Sequence, residues 1–229
     1  MGRKRHLLGI LAVVIMAIAA CQPDPKHQVE TGAELLSATF DDPSSWESGA
    51  YPVNAEEPDS TLSVVDGRFR IDHRSTGSPS FTWSLGGDAY QNVVIEVETQ
   101  QISDEENNLY GVACRLTTDD SGDATGYVLL ISGDGYFGFA RLSNRSLEFL
   151  IDWRQNNAIR KGKASNTIRA VCVDDYLALS VNGEFLGDIT DDKYADQSGQ
   201  VGMVAGVTTD ASVSIDFDNL IVYEGRITG

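Results

Sequence analysis

From Thr61 onward the chain alternates apolar and polar side chains with a period of two, and the runs are cut by dipeptides that reverse the backbone. "TLSVVDGRFRIDH" carries Asp66-Gly67, "YVLLISGDGYFGFARL" carries Asp134-Gly135 and "YLALSVNGEFLGDI" carries Asn182-Gly183. Asp-Gly and Asn-Gly suit tight type I′ hairpins because both central residues take positive φ. Period two over short runs marks strands with one buried face, and no later segment shows the helical period. Roughly a dozen short strands at this spacing build two stacked antiparallel sheets, an all-β sandwich.

The same alternation sorts side chains by face. Ile168, Ala170 and Cys172 share one side of a strand, and Leu177, Leu179 and Val181 continue it beyond the Asp174-Asp175 turn. Val112 and Cys114 point one way, Ala113 and Arg115 the other.

The N-terminus obeys a different rule. Residues 7–20 are apolar, follow Arg3, Lys4 and Arg5, and end in Ile18, Ala19, Ala20 and Cys21. A membrane-spanning helix needs roughly 20 apolar residues, so the run is short for an anchor. Basic start, apolar middle and small residues at the end are the parts of a secretory signal. The sequence resembles the lipobox of bacterial lipoproteins, which implies a signal peptide over 1–20, a lipid on Cys21, and an extracytoplasmic protein anchored to a bacterial membrane. "QPDPKHQVETGA" then reads as a flexible tether, so that 21–34 is the lipidated linker and 35–224 one sandwich domain.

Three of the 17 basic residues lie in that leader, which leaves 14 against 34 acidic ones, a net charge of −20 on the mature chain. Such a surface repels phosphate backbones, whose binding needs Lys and Arg to neutralise them. A nucleic-acid partner is disfavoured on this ground, and none is expected.

"FDDPSSW", "LYGVACRL", "GYVLLISGDGYFGF", "IRAVCVDDYLALSVNG", "SGQVGMVAG" and "VSIDFDNLIVYE", in that order, resemble the concanavalin A-like, laminin G-like jelly rolls of bacterial surface proteins. The sub-family most similar is the three-keto-disaccharide hydrolase, or glycoside-hydrolase-like, module. The resemblance implies a two-sheet antiparallel jelly roll of the lectin and glucanase type. It also implies a glycan-binding surface, for which Trp153, Arg115, Tyr127 and Tyr136 are the candidate residues: an aromatic can stack on a pyranose face while its neighbours bond the hydroxyls. Jelly rolls of this kind often carry a structural calcium between first and last strands; Asp216 and Asp218, with Asp41, are the candidates, against a simple turn-capping role. No other cofactor is expected. Cys114 and Cys172 match cysteines of the sub-family and are the two thiols that remain after Cys21. Export to an oxidising compartment allows them a disulfide, the alternative being two buried free thiols.

Catalytic patterns are harder to find. The glucanase branch carries Glu-x-Asp-x-x-Glu on one strand, whereas "VIEVETQ" offers Glu96 and Glu98 with Gln101 in the third carboxylate's place. His73 stands alone in the domain and reads as strand-end polar surface. Asp119, Ser121 and Asp123 begin like an EF-hand loop, but Ala124 replaces its glycine and Leu130 its last glutamate. Trp46 and Trp83 are assigned to packing. With no carboxylate triplet, Ser/His/Asp set or metal motif recognised, the leading expectation is a non-catalytic, lipid-anchored module that binds a glycan or another envelope component. A glycoside-hydrolase-like enzyme acting on (keto)glucosides, or a structural or protein-interaction domain at the cell surface, are the alternatives.

Overall fold

The structure, a computed structural model, describes residues 24–42, 46–75, 77 and 79–229. The leader and the expected lipidation site, Cys21, lie outside the described residues. Among the described residues there are strands and turns but no helix.

Nine strands form one sheet: β1 (Val29–Ala38), β2 (Gly49–Tyr51), β3 (Ser60–Val65), β4 (Arg68–Ser75), β6 (Val93–Gln101), β11 (Ser165–Val173), β12 (Tyr176–Val181), β13 (Glu184–Thr190) and β15 (Ala211–Ile227). Six form the other: β5 (Ser80–Tyr90), β7 (Asn108–Thr118), β8 (Ala124–Ile131), β9 (Tyr136–Ser143), β10 (Ser146–Gln155) and β14 (Gly199–Val207). The orders are β13-β12-β11-β6-β15-β4-β3-β2, with β1 also on β15, and β10-β9-β8-β7-β14-β5. All pairings are antiparallel. The chain passes between the sheets repeatedly, as a jelly roll does.

The turn dipeptides act largely as their chemistry requires. Asp66-Gly67 and Asn182-Gly183 take positive φ at both residues. At Asp134-Gly135 only the glycine does, because Ser132 and Gly133 join them in a longer connection from β8 to β9.

Between the sheets lies one continuous core that includes Ile168, Ala170, Cys172, Leu177, Leu179 and Val181 on one side and Val112 and Cys114 on the other. Cys114 and Cys172 are bonded across it, joining β7 to β11 over 58 residues of sequence. By the chain-entropy estimate a bridge of that span stabilises by about 4 kcal/mol.

The domain boundaries differ from the sequence reading at both ends. β1 begins at Val29, inside the segment read as tether, and pairs with β15 from Val29↔Ile227 onward. Ladder hydrogen bonds, rather than apolar side chains, hold this polar segment, so hydropathy does not reveal it. Even before β1 the chain is fixed: Lys26 N donates to Asp188 Oδ2 (2.6 Å), and His27 stands edge-on to Tyr176 at 5.0 Å.

Candidate functional site

Each sheet has a second face, turned away from the core. On the six-stranded sheet that face is apolar. Its floor is built from Leu109 and Ala113 on β7, Val128 and Leu130 on β8, Ala140 and Leu142 on β9, and Val204 on β14. Aromatics flank it: Phe81 and Trp83 on β5 with ring centres 5.9 Å apart, and Phe149 and Trp153 on β10 at 5.5 Å. The small floor residues let these rings lean inward; a Cβ at Gly138 would stand 3.1 Å from a Phe149 ring carbon.

Along β5, alternation in "SFTWSL" sends Phe81, Trp83 and Leu85 to this face and Ser80, Thr82 and Ser84 to the opposite one. Beside that strand runs an open cleft of about 810 Å³. Tyr51, Phe81 and Trp83 supply apolar and aromatic wall, while Glu47, Asp59, Asp119, Arg145 and Gln200 supply polar groups. Two of these are held in place by their surroundings. Tyr51 donates to Glu47 Oε1 (3.0 Å), and burial, then that carboxylate, raise its pKa. Asp119 accepts from the Ser121 hydroxyl (2.6 Å) and from the backbone N–H of Ser121 and Asp123. The Ser121 hydroxyl first, and the backbone donors after it, lower the Asp119 pKa. The EF-hand-like start of this loop is thus an aspartate that caps its own turn.

A smaller hollow, about 360 Å³, lies where β8 passes to β9 and is lined by Asn107, Asn108, Ser132, Asp134, Tyr136, Trp153 and Thr208. It unites Trp153 with Tyr136, two of the four expected ligand residues. Asp134 Oδ1 is buried there without a hydrogen-bond partner.

The other two belong elsewhere. Tyr127 lies in the core between the sheets and donates to the Asp191 carboxylate (2.6 Å); burial, then that bond, raise its pKa. Arg115 is fully buried. A bulge after Cys114 gives it positive φ, and its guanidinium binds the Gln91 and Tyr194 carbonyls and Asn92 Oδ1. The bulge breaks the alternation that put Arg115 on the outer face, and the side chain ties loops together.

The three aspartates of the calcium set have other partners in the structure. Arg70 donates to both oxygens of Asp216, at 2.6 and 2.9 Å. Asp218 faces Arg68 at 3.8 Å, and Asp41 accepts from the Thr39 hydroxyl. Among the described residues no three His, Cys, Asp or Glu side chains gather as metal ligands would. Glu96 and Glu98 stand on β6 in the other sheet, with Glu96 paired to Arg169 at 3.2 Å.

Trp83 packs on the apolar floor, as its assignment to packing expected, and also lines the cleft; sequence reasoning missed the second role, although the alternation of Trp83 with Phe81 in a Ser/Thr-rich strand was a usable signal. It also missed His73, which is buried between Ser60 Oγ (2.8 Å) and Ser80 Oγ (2.7 Å). Nothing in "FRIDH" announces two partners that the fold brings from other strands.

No family model matches the chain, and no curated protein is similar to it in sequence. Solved structures are similar in shape. The carbohydrate-binding module CBM66 from Bacillus subtilis is 13% identical, with a TM-score of 0.58 over 80% of this chain and 97% of that one. A Bacillus subtilis protein of unknown function with a galectin-like fold gives 0.62 at 10% identity, over 86% and 99%. Bacillus licheniformis β-glucanase gives 0.57 at 12%, over 86% and 100%. At such identities the likeness establishes the fold: an all-β, two-sheet antiparallel jelly roll of the galectin and glucanase type.

Proposed function

We propose that this protein is a glycan-binding jelly roll of the bacterial cell envelope, carried on a lipid at Cys21, and that it holds its ligand without cleaving the glycosidic bond. The observation that carries the reading is the Phe81–Trp83 pair, partly exposed on a cleft that also presents Glu47, Asp119, Arg145 and Gln200. A sugar offers an apolar ring face and a rim of hydroxyls, and this wall answers both. The structural likeness to a carbohydrate-binding module supports it. The carboxylate pair with glucanase-like placement in sequence, Glu96 and Glu98, lies on the other sheet. Because Lys26 is already bound to Asp188, residues 22–25 alone would separate lipid from domain, at most about 14 Å of chain.

The test is retention on immobilised glycans. Trp83→Ala should weaken binding by about 2 kcal/mol, roughly thirty-fold, as loss of a central aromatic anchor does, while the protein stays folded at the assay temperature despite the packing the ring gives up. Undiminished retention by this variant would move the ligand out of the cleft.

A further inference from the structure

His73 is the last buried residue of β4, after Phe69 and Ile71, and it lies near the margin where the chain crosses to β5. Ser60 is its cross-strand partner on β3, and Ser80 opens β5 in the other sheet. The ring joins them: Nδ1 to Ser60 Oγ at 2.8 Å, Nε2 to Ser80 Oγ at 2.7 Å. His73 is 6% exposed and Ser60 5%, whereas Ser80 is half-buried and borders the cleft beside Phe81. A hydroxyl on a cleft, a ring nitrogen within reach of it and a second group orienting that ring are the parts of an activated nucleophile.

The backbone adds a fourth part. Leu85 O accepts from Glu47 N (3.4 Å) on the side of β5 away from β14. Main-chain polar groups alternate sides along a strand, so Trp83 and Phe81 also direct their N–H groups to that side, which no strand of the sheet covers. Among the described residues the Phe81 N–H, next in sequence to Ser80, is therefore outside the ladder, on the open edge of the strand, where an amide can stabilise a developing negative charge.

We propose that Ser80, His73 and Ser60 form an acyl-transfer site that hydrolyses small carboxylic esters, such as O-acetyl groups, of alcohols held in the cleft. Ser80 Oγ bonds to the ester carbonyl carbon while its proton passes to His73 Nε2, and the carbonyl π pair moves onto oxygen beside the Phe81 N–H. Collapse breaks the bond to the alcohol, which leaves with the proton from His73. Water then attacks the acyl-serine, giving its proton to Nε2; the carboxylic acid departs and Ser80 is restored. Ser60 is a positioning residue: accepting from Nδ1–H, it holds the tautomer in which Nε2 is free to take a proton. Burial lowers the His73 pKa, opposed by Asp59 and by a hydrogen bond to the Ser80 backbone, which favours the neutral ring that can accept a proton. The charged groups about it are Asp59, Asp72 and Arg74.

The site is tested on the whole exported chain with a fluorophosphonate probe, by mass spectrometry of the labelled peptide, and with p-nitrophenyl acetate. Label should appear on Ser80 in the folded protein. Ser80→Ala, the least disruptive change, should lower ester hydrolysis at least about a hundred-fold, and His73→Gln similarly, consistent with loss of nucleophile or base. Ser60→Ala should lower kcat and shift the pH–rate profile, and Ser60→Thr should restore both. Wild-type protein unlabelled at Ser80, or Ser80→Ala hydrolysing at the wild-type rate, would overturn the proposal. Glycan retention by Ser80→Ala reads the binding function separately.

Discussion

The two sheets meet water differently. The outer face of the nine-stranded sheet carries paired charges, Arg70 with Asp216, Arg68 with Gln100 and Asp218, Arg169 with Glu96 and Thr31, and beside them an apolar cluster of Val94, Val171, Val173, Tyr176 and Ala178 that Phe185 and Tyr223 pack against. The outer face of the six-stranded sheet is a floor of Ala, Val and Leu between two ranks of aromatic rings. Both are the solvent sides of antiparallel sheets, where polar residues are the ordinary solution. Charges already bonded to one another leave little for a ligand. The partly exposed rings of Phe81 and Trp83, which line an open cleft, have contact area to offer, and they place the candidate site at the β5 edge of the six-stranded sheet.

Gly111→Ala should break the contrast most severely. A Cβ there would stand 2.1 Å from the Leu129 carbonyl oxygen and 3.1 Å from the Leu130 Cα, both backbone atoms that no rotamer change can move aside. β7 and β8 would have to part, at a cost of about 3 kcal/mol, as overpacking does. Denaturant unfolding measures this; a loss under about 1 kcal/mol would show that the floor has room to spare.

On the opposite face, Arg70→Ala should cost about 2 kcal/mol, because it strands a carboxylate that is only 6% exposed at its side chain. The figure sits below that for fully buried pairs because Arg70 itself is 26% exposed and water can enter. Arg70→Ala with Asp216→Ala should recover part of the loss, since no orphaned charge then remains. A double variant as unstable as the single one would mean that packing by the arginine stem, not charge, is what the face requires.

The fold was legible because it rests on local rules: period-two runs, and turns such as Asn182-Gly183 whose residues accept positive φ. The inward cysteines followed from the same alternation. The site was less legible because it depends on departures from those rules and on distant partners. One bulge after Cys114 turned Arg115 inward, so a residue read as outward became a buried tie. The Arg70 partner of Asp216, 146 residues away, could not be read beside it. Trp83 and Trp153 carry identical chemistry in sequence, and only the assembled sheet shows which hollow each one borders.

The smallest effect expected is from Arg169→Ala, and its smallness is informative. Arg169 faces Glu96 directly across β11 and β6, with Nε 3.2 Å from Oε1 and Nη2 3.1 Å from the Thr31 hydroxyl. Both charged side chains remain open to solvent, at 34% and 40%. Their attraction is therefore screened by water and mobile ions, and holding two long chains in one geometry costs entropy, so such a pair contributes at most about 1 kcal/mol. The variant should melt almost as the wild type does, differ from it less still in 1 M salt, and keep full glycan retention. A loss of more than about 2 kcal/mol would show that the charge-paired face holds the nine-stranded sheet together. A fall in retention would put part of the ligand surface on that face, and the contrast between the sheets would fail.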